Sequence, residues 1–224
     1  SFNIAINLIK KKKISGIINC PINKETLFGN KNLGITEYLS KKMNVMGNEV
    51  MLIYNKKLSV SPITTHIPLR KVSRKISKGI IIKKIKIINN FYKTNFNKKP
   101  KIAVLGLNPH NFSGSKNSEE NKIIIPAIKK IKSNKINVVG PISADTSFIF
   151  NKGNRPDVII GMYHDQVLAP FKTLFKYNAI NITLGLPFLR VSPDHGVAKN
   201  IVGKNIANPK SLIEAIKFFN LTKH

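Results

Sequence analysis

Short apolar runs recur along the chain, each closed by glycine, proline or a polar residue, and amphipathic segments of helix length separate them. This alternation constrains the fold more than any other feature. Gly16 to Cys20, Glu49 to Tyr54, Leu58 to Thr65, Lys101 to Leu107, Ile136 to Val139, Pro156 to Met162 and Ala179 to Leu184 read as buried strands. Helices are expected over Phe2 to Lys12, Asn32 to Lys42, a basic stretch from Pro68 to Ser77, Gly79 to Phe96, and a segment from Ser118 to Ile131 that Pro126 should distort. Pro209 opens a last helix. The long central helix should bury Ile82, Ile85, Ile88, Phe91 and Tyr92, and the last one Leu212, Ile213, Ile216 and Phe219. Strands without a polar face, alternating with helices, predict an α/β fold with a mostly parallel sheet covered on both sides.

In open α/β sheets ligands bind beyond the carboxyl ends of the strands. The run Val158-Ile159-Ile160 leads into Gly161-Met162-Tyr163-His164-Asp165-Gln166, which places polar side chains at that edge. His66 and His110 follow two other predicted strands. Neutral imidazole is the commonest protein ligand for zinc-like ions, and three histidines with an open position form a catalytic rather than a structural arrangement. The three are far apart in sequence, so each also reads as a hydrogen-bonded structural residue. Further polar groups near strand exits are Asp145-Thr146, Asp165, Lys172, Asn181, Arg190 and Asp194-His195-Gly196. Lysine and arginine there can hold phosphate or carboxylate. Pro187-Phe188-Leu189-Arg190 is expected to turn away from the preceding strand, and Asp194 reads equally as the N-cap of a following helix.

The 224 residues carry a net charge of +28, almost all of it lysine, with arginine only at positions 70, 74, 155 and 190. The lysines are scattered among asparagine and isoleucine over the whole length. That is the mark of A/T-rich codons at tolerant surface positions, whereas a base reader uses arginine forks. Nucleic acid is therefore expected to bind only nonspecifically, through charge. No apolar run reaches the roughly 20 residues that span a bilayer. The single cysteine, Cys20, excludes an intrachain disulfide framework, suits a reducing cytoplasm, and reads as a small core residue.

Motifs in a fixed order span nearly the whole chain. They are Asn19-Cys20-Pro21-Ile22-Asn23-Lys24, Gly34-Ile35-Thr36-Glu37-Tyr38, Thr64-Thr65-His66-Ile67-Pro68-Leu69-Arg70, Gly106-Leu107-Asn108-Pro109-His110, Gly140-Pro141 with Ala144-Asp145-Thr146, Tyr163-His164-Asp165-Gln166, and Asn181 to Phe188 with Arg190 and Asp194-His195-Gly196. Together they resemble the 4-hydroxythreonine-4-phosphate dehydrogenase family of vitamin B6 synthesis. The resemblance implies a two-lobed α/β fold akin to isocitrate and isopropylmalate dehydrogenases. Residues 1–20 with 195–224 are expected to form the remainder of the first lobe, and 21–194 the second, metal-bearing lobe. It implies a cytoplasmic homodimer whose metal site is shared across the interface. NAD would be the oxidant, with a divalent metal, zinc first and magnesium or cobalt next, on His66, His110 and His164. Substrate contacts fall on Thr36, Lys172, Asn181 and Arg190. Asp165 and Lys172 are candidate bases, and Asp145 supports the metal end. The implied reaction is oxidative decarboxylation of 4-phosphohydroxy-L-threonine to 3-amino-2-oxopropyl phosphate on the way to pyridoxal 5'-phosphate.

Three departures stand against the family pattern. Ile35 replaces the histidine of its Gly-His-Thr-Glu motif, Asn111-Phe112-Ser113-Gly114-Ser115 replaces a short acidic turn, and the family's N-terminal third, with its Asp-Pro-Ala-Gly turn, is missing, so the first lobe is expected to be incomplete. They keep two rivals open. One is a relative acting on another four-carbon phosphorylated hydroxy acid, such as threonate or erythronate phosphate. The other is a non-catalytic remnant that binds metal or polyanions. No Gly-x-Gly-x-x-Gly follows a strand, so nothing in the residues themselves points to the dinucleotide.

Overall fold

The computed structural model describes residues 1–23, 34–112, 114–150 and 153–222. In chain order the elements are α1 (Phe2–Lys10), β1 (Gly16–Ile18), α2 (Ile35–Lys42), β2 (Val50–Tyr54), β3 (Ser59–Pro62), the single turn α3 (Val72–Lys75), α4 (Lys78–Phe96), β4 (Ile102–Leu105), α5 (Ile125–Ser133), β5 (Val138–Ile142), β6 (Val158–Gly161), α6 (His164–Phe175), β7 (Ile180–Leu184), β8 (Leu189–Pro193) and α7 (Lys210–Leu221). The fold is α/β with mostly parallel strands, as the alternation of apolar runs and helices requires. No helix among the described residues is long and apolar enough to cross a membrane.

The chain forms two compact units, residues 1–53 with 177–224, and residues 54–176. These limits differ from the expected boundaries at 20/21 and 194/195. Strand pairing is the reason, because β7 and β8 hydrogen-bond to each other and β8 to β1, which draws them to the terminal segments.

In the first unit the strand order is β1-β8-β7-β2. The stretch expected to turn away after Leu184 is instead β8, antiparallel to β7. The turn between them depends on Gly185, whose φ is +82°, and a Cβ there would lie 1.9 Å from the Asn48 carbonyl oxygen. Gly185→Ala combines a left-handed alanine with a backbone clash, so an unfolding free energy lower by about 2–4 kcal/mol is expected from urea denaturation. Helix α7 buries Ser211, Ala215 and Phe218, while Ile213 and Ile216, expected in its core stripe, are exposed. The helix expected after Asp194 is absent; a single 3-10 turn, Lys199–Ile201, follows instead. Cys20 is exposed rather than in the core.

In the second unit the order is β3-β6-β4-β5, with all three neighbouring pairs parallel. Ser77 Oγ accepts the Ile80 amide and starts α4, and Asn97 ends it in the left-handed conformation. The buried stripe is Ile81, Ile85, Ile88, Asn89 and Tyr92. Isoleucine at 80, 81 and 82 made the helix apolar on more than one face, so the sequence did not choose the phase. Pro126 lies in the first turn of α5, and a π-helical turn, Glu120–Ile124, precedes it. The strand β6 ends at Gly161, and α6 begins at His164. His164, Asp165 and Gln166 are thus the first turn of a helix, whereas the sequence placed them only at a strand end.

Candidate active site

Strand pairing brings two of the predicted metal histidines together. β3 and β6 are parallel neighbours with Pro62 opposite Gly161. The ladder continues past the strands: the Ile63 amide donates to Gly161 O (2.8 Å), the Thr64 amide to Met162 O (3.1 Å), and Thr64 Oγ1 to the same oxygen (2.8 Å). Lys84 Nζ also donates to Ile63 O at 2.8 Å. The rings of His66 and His164 then stand 5.7 Å apart between centroids, tilted by 41°. His164 Nδ1 is 2.6 Å from Asp165 Oδ1. With Nδ1 donating to that carboxylate, Nε2 carries the ring's lone pair, the arrangement by which carboxylates orient imidazoles in metal sites.

His110 comes from the next strand. β4 pairs with β6 on the side away from β3, and beyond its carboxyl end lies the turn Pro109–Phe112. His110 and Asn111 have φ of 50° and 61°. The turn is held at many points. The Gly106 amide donates to Ile142 O (3.0 Å), and Asn111 Nδ2 to Pro141 O (3.1 Å). Glu120 Oε1 accepts both the Leu107 and Asn108 amides at 2.8 Å. Asn108 Nδ2 reaches Glu119 Oε2 (2.9 Å) and Glu120 Oε2 (3.0 Å). Burial pushes the Glu120 carboxyl up, but the hydrogen bonds from Asn108 and Leu107 outweigh it and hold the group below its ordinary value. His110 Nδ1 lies 3.9 Å from Asp145 Oδ2, with both side chains well exposed.

The donor set suits a zinc-like ion in part. Two imidazoles on one tetrahedral ion at about 2.0–2.1 Å hold their centroids roughly 5 Å apart, close to the spacing of His66 and His164. Among the described residues no group of three or more His, Cys, Asp and Glu side chains converges closely enough to hold a metal. His66 and His164 are thus the two of the three predicted histidines that face each other, and His110 sits beside Asp145. Lys172 follows His164 by eight positions on α6, about 12 Å along the axis at 1.5 Å per residue. Of the two candidate bases, Asp165 is the one at the histidine.

Of the predicted substrate contacts, Thr36, Asn181 and Arg190 belong to the first unit and Lys172 to the second. Arg190, on β8, is 3% exposed. Its Nε donates to Asn19 Oδ1 (2.8 Å) and its Nη1 to Thr183 Oγ1 (3.1 Å). Thr183 Oγ1 is 3.3 Å from Thr36 Oγ1. Asn181 Oδ1 is buried with no partner among the described residues. Burial pulls the Arg190 pKa down to about 10, partly opposed by the nearby Glu37 carboxylate. A half-empty guanidinium fork with two hydroxyls and an amide beside it is equipped to bind a phosphate or carboxylate.

Comparison with known proteins gives the chain its family. The family model described as pyridoxal phosphate biosynthetic protein PdxA matches residues 1–219. The chain belongs to that family. Among PdxA-family relatives, the 4-hydroxythreonine-4-phosphate dehydrogenase of Sulfurihydrogenibium sp. is 44% identical over 223 residues, covering 98% of this chain and 68% of its own. The enzyme of the same name from Aquifex aeolicus is 42% identical over 207 residues, covering 91% and 64%. The chain thus spans about two thirds of the length of these relatives. A crystal structure of 4-hydroxythreonine-4-phosphate dehydrogenase from Klebsiella pneumoniae superposes with a TM-score of 0.81 at 33% identity, over 97% of this chain and 68% of that one. Isocitrate dehydrogenase from Methylococcus capsulatus, at 11% identity and a TM-score of 0.60 over 96% and 70% of the chains, shares the fold alone.

Two departures from the PdxA-family pattern take a physical form. Ile35 is 9% exposed in an apolar cluster with Ile6, Leu39 and Phe188, so the side chain serves packing at a position where the family motif carries a polar ring. The altered turn after His110 uses Asn111, whose amide group caps Pro141 O. Sequence reasoning missed Glu120, which lies within the segment from Ser118 to Ile131 expected to be helical. Its signal was a carboxylate one helical turn before the run Ile123-Ile124-Ile125, on a segment whose apolar face must be buried.

Proposed function

We propose that the chain catalyses, as part of a homodimer, the NAD-dependent oxidative decarboxylation of 4-phosphohydroxy-L-threonine to 3-amino-2-oxopropyl phosphate in pyridoxal 5'-phosphate synthesis. The observation that supports this reading most is topological. His66, His164 and His110 stand beyond the carboxyl ends of three adjacent parallel strands, β3, β6 and β4. In the proposed dimer, His66 and His164 of one subunit are joined by a His110 from the other, consistent with the pairing of only two histidines within one chain.

A divalent ion on these histidines would polarise the substrate hydroxyl and stabilise the charge that develops on its oxygen. The protein's own groups do the rest. Arg190, with Thr36 and Asn181, binds the anionic end of the substrate and fixes its orientation. Asp165 holds the His164 tautomer and lies where it can take a proton at the carboxyl end of β6. Asp145 supports His110, and Lys172 contributes positive charge to substrate binding. NAD as the oxidant is supported by the dehydrogenase names of the relatives; no glycine-rich dinucleotide turn is present among the described residues, and no residue is assigned to it.

The test is NADH formation from 4-phosphohydroxy-L-threonine by the purified chain with zinc, run beside threonate and erythronate phosphates. Turnover of the first compound alone is expected. Turnover of the others alone would move the substrate assignment. No turnover by a folded, zinc-loaded dimer would overturn the catalytic reading.

A further inference from the structure

We infer that Glu120 and Gln166 are positioning residues that clamp the His110 loop between β4 and β6 and so set where that histidine is presented. The inference rests on the metal-site reading above.

A carboxylate is seldom fully buried unless its lone pairs are used. Glu120 is 0% exposed, and no described lysine or arginine forms an ion pair with it. All of its described partners belong to two consecutive residues of the loop, the Leu107 and Asn108 amides on one oxygen and the Asn108 side chain on the other. β4 ends at Leu105, so these two amides have no strand partner and would otherwise be orphaned. The carboxylate replaces the missing ladder.

Gln166 closes the clamp from the other side. Its Nε2 donates to Gly106 O at 2.8 Å, and its Oε1 accepts the Met162 amide at 2.7 Å. One side chain thus ties the loop before His110 to the backbone two residues before His164. Gly106 fits only without a side chain: a Cβ would lie 2.3 Å from Asn111 Oδ1 and 3.1 Å from Glu120 Oε1. Beyond this anchor the backbone enters the left-handed region at His110, Asn111 and Phe112, with φ of 50°, 61° and 29°. Non-glycine residues keep that conformation where their surroundings over-determine it. Here Glu120, Gln166 and the Asn111 bond to Pro141 O supply the constraint.

The experiment compares the wild-type chain with Glu120→Gln and Gln166→Met. Glutamine keeps the shape of glutamate but turns one acceptor into a donor facing the Asn108 amide group. Three quantities are read: the Kd for Zn2+ alone, amide exchange at Leu107 and Asn108, and the shift in Tm on adding inorganic phosphate, which reports the Arg190 site. Glu120→Gln should raise the zinc Kd about 10–100-fold, the usual effect of losing a group that supports a ligand. Exchange at the two amides should accelerate at least about tenfold, while the phosphate shift is unchanged. A general loosening would lower the phosphate shift as well. A folded Glu120→Gln protein with wild-type zinc affinity overturns the inference. If Glu120→Gln does not fold, Gln166→Met decides by the same readouts. If the wild-type chain binds no zinc, the proposed function falls instead. Exchange then decides the clamp alone: unchanged rates at Leu107 and Asn108 overturn it.

Discussion

His164→Ala should abolish zinc binding and lower NADH formation by about a thousandfold or more, with little change in Tm. The size follows from the ion's role. Lewis-acid stabilisation of a developing oxyanion is worth several kcal/mol, and each 1.36 kcal/mol is about a factor of ten in rate. The small effect on stability follows from the position. His164 is at the start of α6, its side chain 32% exposed, and its ring bonds to the well-exposed Asp165. Substitutions at such positions usually change stability by no more than about 0.5 kcal/mol. The variant thus separates the two readings of a strand-end histidine. A structural residue would lower Tm and leave activity; a ligand does the reverse. Elemental analysis and turnover on one sample check it, and a zinc-loaded, active His164→Ala protein would remove this histidine from the site.

The sequence made the elements legible where hydrophobic period and punctuation agreed. Val158-Ile159-Ile160 between Pro156 and Gly161 admits little but a buried strand, and β6 is found there. The parallel order of β3, β6 and β4 was not legible. Register between strands distant in sequence is a tertiary matter, and it is that order which places His66 beside His164. Helix α6 was missed because its first turn, His164-Asp165-Gln166, resembles a polar strand exit and Pro170 lies inside it. Arg190 was expected in a turn because Gly185 and Pro187 precede it; instead they make the tight connection from which β8 returns. Glu120 was hidden for another reason. Its burial is explained by donors in the loop at 107–108, which no local pattern around Glu120 announces.

Arg190→Met should raise KM for a phosphorylated substrate about 10–100-fold and remove the rise in Tm that inorganic phosphate gives the wild-type chain. A hydrogen bond to a charged group is worth about 1.5–3 kcal/mol, which converts to that range. Methionine fills much of the same space, so the loss is one of charge rather than of packing. The native arrangement is itself costly. Arg190 is 3% exposed, no described carboxylate forms an ion pair with it, and its described partners are the neutral Asn19 and Thr183. The pKa of about 10 expresses that cost. For a base, a folded-state value below the ordinary 12.5 means that the unfolded chain holds the proton more tightly. The penalty is present at every pH below about 10 and is relieved only as pH rises from there towards 12.5. At neutral pH Arg190 is fully charged, and binding of the anion should show no loss from this group until pH nears 9. A cation kept buried at such a cost, with only the more distant pull of Glu37 to offset it among the described residues, is explained by a ligand that completes it. Arg190→Lys should not restore binding, because an ammonium cannot reproduce the fork that reaches Asn19 and Thr183 while facing an anion. Tm with and without phosphate, beside KM, checks all three statements; a KM within about threefold of wild type for Arg190→Met would place the substrate's anionic group elsewhere.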